Sequence, residues 1–160
     1  MLKRIQSIQR RATGGRFAIV AARYNRRYVD GMLKAAKREL SRAKADQIKI
    51  IRVPGSFEIP VVAATLAHSQ RPLPSAILCF GVIFQGETSH ARQIGDAVSH
   101  ALAQIQVAYR IPVIHGVFLF ENEDQARARC LGKNHNRGTE AARSALDMAG
   151  VIEELESFGF

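Results

Sequence analysis

The run FGVIFQGETSHARQI (residues 80–94) joins a stretch of apolar residues to a polar turn and then to the start of a helical pattern. In such a turn Gly86 lets the backbone approach a ligand closely, and Thr88 and Ser89 supply hydroxyls that can cap the helix. The unpaired N–H groups at the positive end of the helix dipole attract an anion. His90 follows directly, an imidazole that titrates near neutral pH and can carry protons between reacting groups. This spacing fits a bound phosphate beside a proton carrier. A capped βα turn with no ligand has the same composition, so other segments must decide between the two.

Three further groups could do related work. Arg23-Tyr24-Asn25 closes one apolar run, and Tyr24 can stack on a planar heterocycle. VPGSFEIP (residues 53–60) closes another, with a tight turn at Gly55 and Ser56 and an acceptor in Glu58. ENEDQARAR (residues 121–129) follows a third, and Arg129 can fork onto a phosphate. Taken singly, each has a plain alternative: a rim aromatic, a capping hydroxyl, a solvated guanidinium. His115 lies inside an apolar run and reads as a packed side chain. His68, His100 and His135 have no ligand-like spacing, and Cys79 and Cys130 form no C-x-x-C pair, so no metal site or disulfide framework is expected.

The elements that would position these groups alternate from residue 16 onward. Nearly continuous apolar runs at residues 17–22, 48–53, 76–83 and 112–118 predict four strands of a parallel sheet buried under helices on both faces. Between them, Val29, Met32, Leu33, Ala36 and Leu40 make one helical stripe, and Ile94, Ala97, Val98, Ala101, Leu102 and Ile105 another. Residues 57–67 predict a helix with Pro60 in its first turn, where a missing N–H does little harm. Asn122 and Gln125 form a capping pair for a short helix, and residues 131–138 read as a polar break. A last helix then buries Ala142, Ala145, Leu146, Ala149, Ile152 and Leu155. Right-handed crossovers give a flavodoxin-like three-layer α/β/α sandwich with a central four-stranded parallel sheet, whose strand carboxyl ends collect the ligand-binding groups on one rim.

At 160 residues the chain has the size of one domain, expected over residues 16–160 behind a mobile basic tail of residues 1–15 that lacks the apolar segment of a secretion signal. With 23 Lys and Arg against 14 acidic residues the charge is +9, which favours anionic ligands. No zinc-finger, helix-turn-helix or RRM pattern accompanies that charge, so a solvated basic surface is expected in place of a nucleic-acid interface. The apolar runs are too short to span a bilayer. A cytoplasmic protein with free thiols is the expectation.

With these motifs in this order and spacing, together with PVIHG (residues 112–116) and NRGTEAA (residues 136–142), the chain resembles the lumazine synthases of the riboflavin pathway over roughly residues 16–156. The resemblance implies condensation of 5-amino-6-(D-ribitylamino)uracil with 3,4-dihydroxy-2-butanone 4-phosphate to 6,7-dimethyl-8-ribityllumazine, with no cofactor or metal. Carried over residue by residue, it implies that Tyr24 stacks on the pyrimidine and that Ser56, Phe57 and Glu58 hold the ring and ribityl chain. Val82, Ile83 and Phe84 would line the same pocket, Glu87 and Thr88 would bind phosphate through their backbone, and Arg129 would be the phosphate-binding arginine. His90 would transfer protons, assisted by the pair Arg137 and Glu140.

The resemblance also implies a pocket shared between neighbouring copies of a pentamer, one giving the Tyr24, Ser56 and His90 side and the next the His115 and Arg129 side. Three departures stand out: His115 where an aromatic ring commonly closes the pocket, Ala91-Arg92 in place of an aromatic–acidic pair, and Arg137 in place of a lysine. They imply a divergent branch, a second copy beside a housekeeping enzyme, with a decamer of two pentamers as the expected assembly. A catalytically weak flavin- or lumazine-binding oligomer of the same fold is the alternative reading.

Overall fold

A computed structural model describes residues 13–69 and 71–159. Of the tail expected over residues 1–15, residues 1–12 lie outside the described residues. Gly14 and Gly15 are bonded to the body: the Gly14 N–H donates to the Ala43 carbonyl at 3.0 Å and that of Gly15 to the Asp46 carboxylate at 2.8 Å.

The chain runs β1 (Arg16–Ala22), α1 (Arg26–Arg42), β2 (Gln47–Val53), a 3-10 turn (Ser56–Glu58), α2 (Ile59–Ser69) and β3 (Ala76–Phe84). It continues through α3 (His90–Tyr109), β4 (Val113–Phe120), α4 (Glu123–Cys130) and α5 (Arg137–Ser157). The four strands form one parallel sheet in the order β2-β1-β3-β4. The strands read from the apolar runs match these within two residues at each end, and the expected α/β sandwich with a four-stranded parallel sheet is observed.

Alternation along the two central strands divides the core. Phe17, Ile19 and Ala21 of β1 and Leu78, Phe80 and Val82 of β3 pack with Val29, Met32 and Leu40 of α1 and with Ala142, Ala145 and Leu146 of α5. Ala18, Val20, Ala22, Ile77 and Cys79 face the other way, onto Ala63 and Leu66 of α2 and Val98 and Leu102 of α3. Both faces of β1 and β3 are therefore dry, as expected for parallel strands between helical layers.

The expectation of a wholly buried sheet fails at β2, where only Val53 is buried and Ile50 is exposed. β2 is an edge strand, and the two helical layers centre on β1 and β3. The face expected of the last helix also ends early. Ala142 to Ala149 are buried as expected, but Leu155 is 46% exposed because α5 continues past its apolar supports.

A second correction concerns residues 131–138. The break ends at Asn136, whose side-chain oxygen accepts from the Gly138 N–H at 2.8 Å while its Nδ2 donates to the Cys130 carbonyl at 2.7 Å. This cap starts α5 at Arg137 and ties it to the end of α4. Gly138 is thus a helical residue. It lacks a side chain because α1 crosses there, and a Cβ would lie 1.9 Å from the Met32 carbonyl oxygen.

Candidate active site

The strand order reverses between β1 and β3, and the crevice outside their carboxyl ends is where an open parallel sheet binds ligands. Asn25, just past β1, has left-handed backbone angles (φ 54°, ψ 37°) that asparagine tolerates better than most residues. Its Nδ2 donates to the Val82 carbonyl at 2.7 Å, bridging the two strand ends at the reversal. The β2 exit is fastened beside them, because the N–H groups of Arg23 and Tyr24 donate to the carbonyls of Val53 and Pro54 at 2.8 and 3.1 Å.

On this frame Tyr24 is 73% exposed, its ring resting over Gly55, where a Cβ would meet it at 3.1 Å. Ser56 is buried against Gly81, whose missing Cβ would lie 2.3 Å from the serine hydroxyl oxygen. Glu58 accepts from the Gly55 N–H at 2.9 Å and so closes the turn that presents Phe57, 62% exposed, to solvent. Val82 points into the core, leaving only its backbone at the rim, and that carbonyl is taken by Asn25. Ile83 and Phe84 are half-buried, and Phe84 meets Tyr28 edge-on at 5.6 Å between ring centres. Tyr28 in turn donates to the Glu123 carboxylate at 3.1 Å, which joins α1 to α4 behind the rim.

Glu87, Thr88 and His90 are exposed on the turn from β3 into α3. The expected hydroxyl cap is absent. Ser89 occupies the N-cap position with helical angles and makes no side-chain capping bond; its hydroxyl instead faces the Gln93 side-chain nitrogen at 3.4 Å. Among the described residues, no backbone N–H from Gly86 to Ser89 donates to a partner outside regular helix or strand bonding. Uncapped donors at a helix start are what an anion requires.

A second group gathers along β4 and the start of α5. The Ser99 hydroxyl donates to the Gly95 carbonyl at 2.7 Å, and its oxygen lies 2.7 Å from His115 Nε2. The sequence reading of His115 as simply packed is incomplete. On an edge strand its ring lies against α3 on one side and is open on the other. Phe118 lies 6.5 Å from His115, ring to ring, and Arg137 stands over the Phe118 ring at 5.7 Å. Glu140 accepts from Arg137 at 2.5 Å. Arg129, in the last turn of α4, is exposed and has neither ion pair nor hydrogen bond among the described residues.

Within one chain, then, Tyr24, Ser56, Phe57, Glu58, Val82, Ile83, Phe84, Glu87, Thr88 and His90 cluster around the carboxyl ends of β1, β2 and β3. His115, Arg137 and Glu140 form the second group, and no described contact joins either group to Arg129. Asn25, Gln85, Ser99, Asn136 and Phe118 organise these groups without having been singled out in the sequence. Asparagines directly before a helix were the legible signals for two of them, Asn25 and Asn136.

Burial lowers the pKa of His115 below its ordinary 6.5, a penalty on the charged ring that outweighs its own backbone carbonyl. The folded protein therefore favours the neutral ring more than the unfolded chain does. Its stabilising share is complete above pH 6.5 and is lost as the pH falls below that value. Wild-type protein should lose more thermal stability between pH 7 and pH 5 than His115→Gln, and identical pH profiles would contradict the assignment.

The two cysteines are free and buried, the Cys130 thiol pushed up to about 12 and that of Cys79 higher still by desolvation. Both stay protonated at neutral pH and are poor nucleophiles. Among the described residues no three His, Cys, Asp or Glu side chains come together as a metal site, and no helix is long and apolar enough to cross a membrane. A recess of about 20 Å³ lined by Arg16, Gln47, Leu66 and Pro74 lies at the opposite end of the sheet, where it has room for about one water.

Comparison with known proteins gives a consistent result. The sequence profile described as 6,7-dimethyl-8-ribityllumazine synthase matches residues 14–153. A protein of that name from Stenotrophomonas maltophilia (strain R551-3) is 38% identical over 143 residues, which cover 88% of this chain and 90% of that protein. Another, from Xanthomonas euvesicatoria pv. vesicatoria (strain 85-10), is 35% identical over 147 residues, covering 91% of this chain and 94% of that one. With a profile spanning most of its length and relatives above 30% identity, the chain belongs to the 6,7-dimethyl-8-ribityllumazine synthase family.

Proposed function

We propose that this chain condenses 5-amino-6-(D-ribitylamino)uracil with 3,4-dihydroxy-2-butanone 4-phosphate, giving 6,7-dimethyl-8-ribityllumazine, phosphate and water in riboflavin biosynthesis. Family membership supports the reaction. The observation that carries the site is the juxtaposition, at the sheet's switch point, of an exposed aromatic rim with a turn of unpaired N–H groups next to His90. Tyr24 stacks on the pyrimidine, while Ser56, Phe57 and Glu58 border its ring and ribityl chain and Ile83 and Phe84 line the floor beside the backbone of Val82. The turn at Glu87 and Thr88 binds the phosphate through its backbone, leaving the Glu87 carboxylate turned away, and Arg129 adds a guanidinium fork.

The amine of the pyrimidine adds to the ketone and loses water to form an imine. Phosphate then leaves, and the second nitrogen closes the ring with loss of water. His90, assisted by the Arg137–Glu140 pair, moves protons between these steps. The reaction needs two substrates held together more than it needs a strong nucleophile, so positioning and charge stabilisation at the phosphate supply most of the acceleration.

The site is completed by a second copy of the chain, which brings its His115, Arg129, Arg137 and Glu140. Two observations support this assembly. Among the described residues no hydrogen bond or ion pair joins the phosphate turn to Arg129, and Phe57 and Val61, 62% and 65% exposed, leave an apolar surface beside the rim. Pentamers paired into a decamer are the proposed assembly, and the cytoplasm, where thiols stay reduced, is the proposed location. Following lumazine fluorescence together with phosphate release from the two substrates tests the reaction. Release of both products in step supports it, and a protein that binds the pyrimidine without releasing phosphate contradicts it.

A further inference from the structure

The turn proposed to bind the phosphate is shaped by the Gln85 side chain. Gln85 leaves β3 with its N–H donating to the Phe120 carbonyl at 2.8 Å, so its backbone is fixed to the end of β4. Its carboxamide folds over the turn: Nε2 donates to the Gly86 carbonyl at 2.9 Å and to the Thr88 carbonyl at 3.1 Å. The opposite orientation of the amide would set its oxygen against two carbonyl oxygens, so the hydrogen-bonding network itself assigns nitrogen to this position. Oε1 is buried with no donor among the described residues, so the two donated bonds alone decide how the side chain lies.

In a planar trans peptide the N–H points opposite to the carbonyl. Drawing the Gly86 and Thr88 carbonyls towards Gln85 therefore turns the N–H groups of Glu87 and Ser89 away from it. Those two groups donate to nothing among the described residues, and the Ser89 hydroxyl caps neither. We infer that Gln85 is a positioning residue, holding the Glu87 and Ser89 N–H groups, on either side of Thr88, outward as donors to the substrate's phosphate. The inference rests on the reaction proposed above and adds to it a residue that never touches substrate.

The test uses the full chain, inorganic phosphate as the probe, and two variants. Gln85→Met keeps the length of the side chain and removes both donated bonds, whereas Gln85→Glu keeps its shape and sets carboxylate oxygens against both carbonyls. In each, the phosphate inhibition constant and the KM for the butanone phosphate should rise about tenfold, the loss expected when a charge-assisted hydrogen bond is misaligned. The KM for the ribitylaminouracil and the thermal midpoint should stay near wild type in Gln85→Met, which carries the test alone if the Glu variant does not fold. Phosphate inhibition within about twofold of wild type in Gln85→Met overturns the inference. So does a rise in both KM values with a falling thermal midpoint, which would mark a general structural role. Wild-type protein that forms lumazine but is not inhibited by phosphate removes the anion from this turn, and wild-type protein that forms none removes the proposed reaction first.

Discussion

Replacing Arg129 with alanine should raise the KM for the butanone phosphate by about 10- to 100-fold, because a hydrogen bond from a charged group to its partner is worth about 1.5–3 kcal/mol and each 1.4 kcal/mol is tenfold. The KM for the ribitylaminouracil should hardly change. Within its own chain the guanidinium is exposed and makes no hydrogen bond or ion pair among the described residues, so its removal should leave stability within about 0.5 kcal/mol of wild type. His90→Ala should show the complementary pattern. Turnover falls by about 100-fold without vanishing, since general acid–base catalysis contributes on that scale while orientation of the two substrates survives. Steady-state kinetics on both variants check this, and unchanged constants would reject the two roles.

Gly138→Ala should be the most damaging single methyl in the molecule. The added Cβ would lie 1.9 Å from the Met32 carbonyl oxygen and 2.5 Å from its carbon, both backbone atoms of α1, so no rotamer change can relieve the overlap. α5 must move off α1, opening the layer in which Met32, Leu40, Ala142 and Leu146 are buried. Overpacking usually costs about 1–3 kcal/mol, and a clash between two backbones belongs at or above the top of that range. For a chain of this size that is a fall in Tm of at least about 6 °C, measured at one fixed protein concentration because association shifts the midpoint. Turnover should fall as well, since Arg137 and Glu140 flank the site of the clash. An unchanged Tm would mean that α1 and α5 do not cross as described.

Features set by local periodicity were legible before the structure. β3 could be read from an apolar run covered on both faces, and α1 from the spacing of Val29, Met32, Leu33, Ala36 and Leu40, all of which are buried. Features set by neighbours were not. The edge position of β2 depends on strand order, which no local pattern carries, although Lys49 and Arg52 among its isoleucines were a hint. Gly138 resembled a helix breaker because the approach of α1 is a tertiary fact. At the site, the residue types were legible and their organisation was not. Thr88 and Ser89 offered capping hydroxyls, yet the Gln85 carboxamide gathers the turn's carbonyls and the donors stay uncapped. His115 lay in an apolar run, but the edge of the sheet puts its ring on Ser99 and leaves one side open.

A site built by two copies of the chain is tested by lumazine formation across fractions of known mass. Purified protein is resolved by size with light scattering, and each fraction is assayed with both substrates. Turnover should appear only in species that are multiples of five chains and should decrease as dilution dissociates them. A monomeric fraction that forms lumazine at the full rate per chain would contradict it.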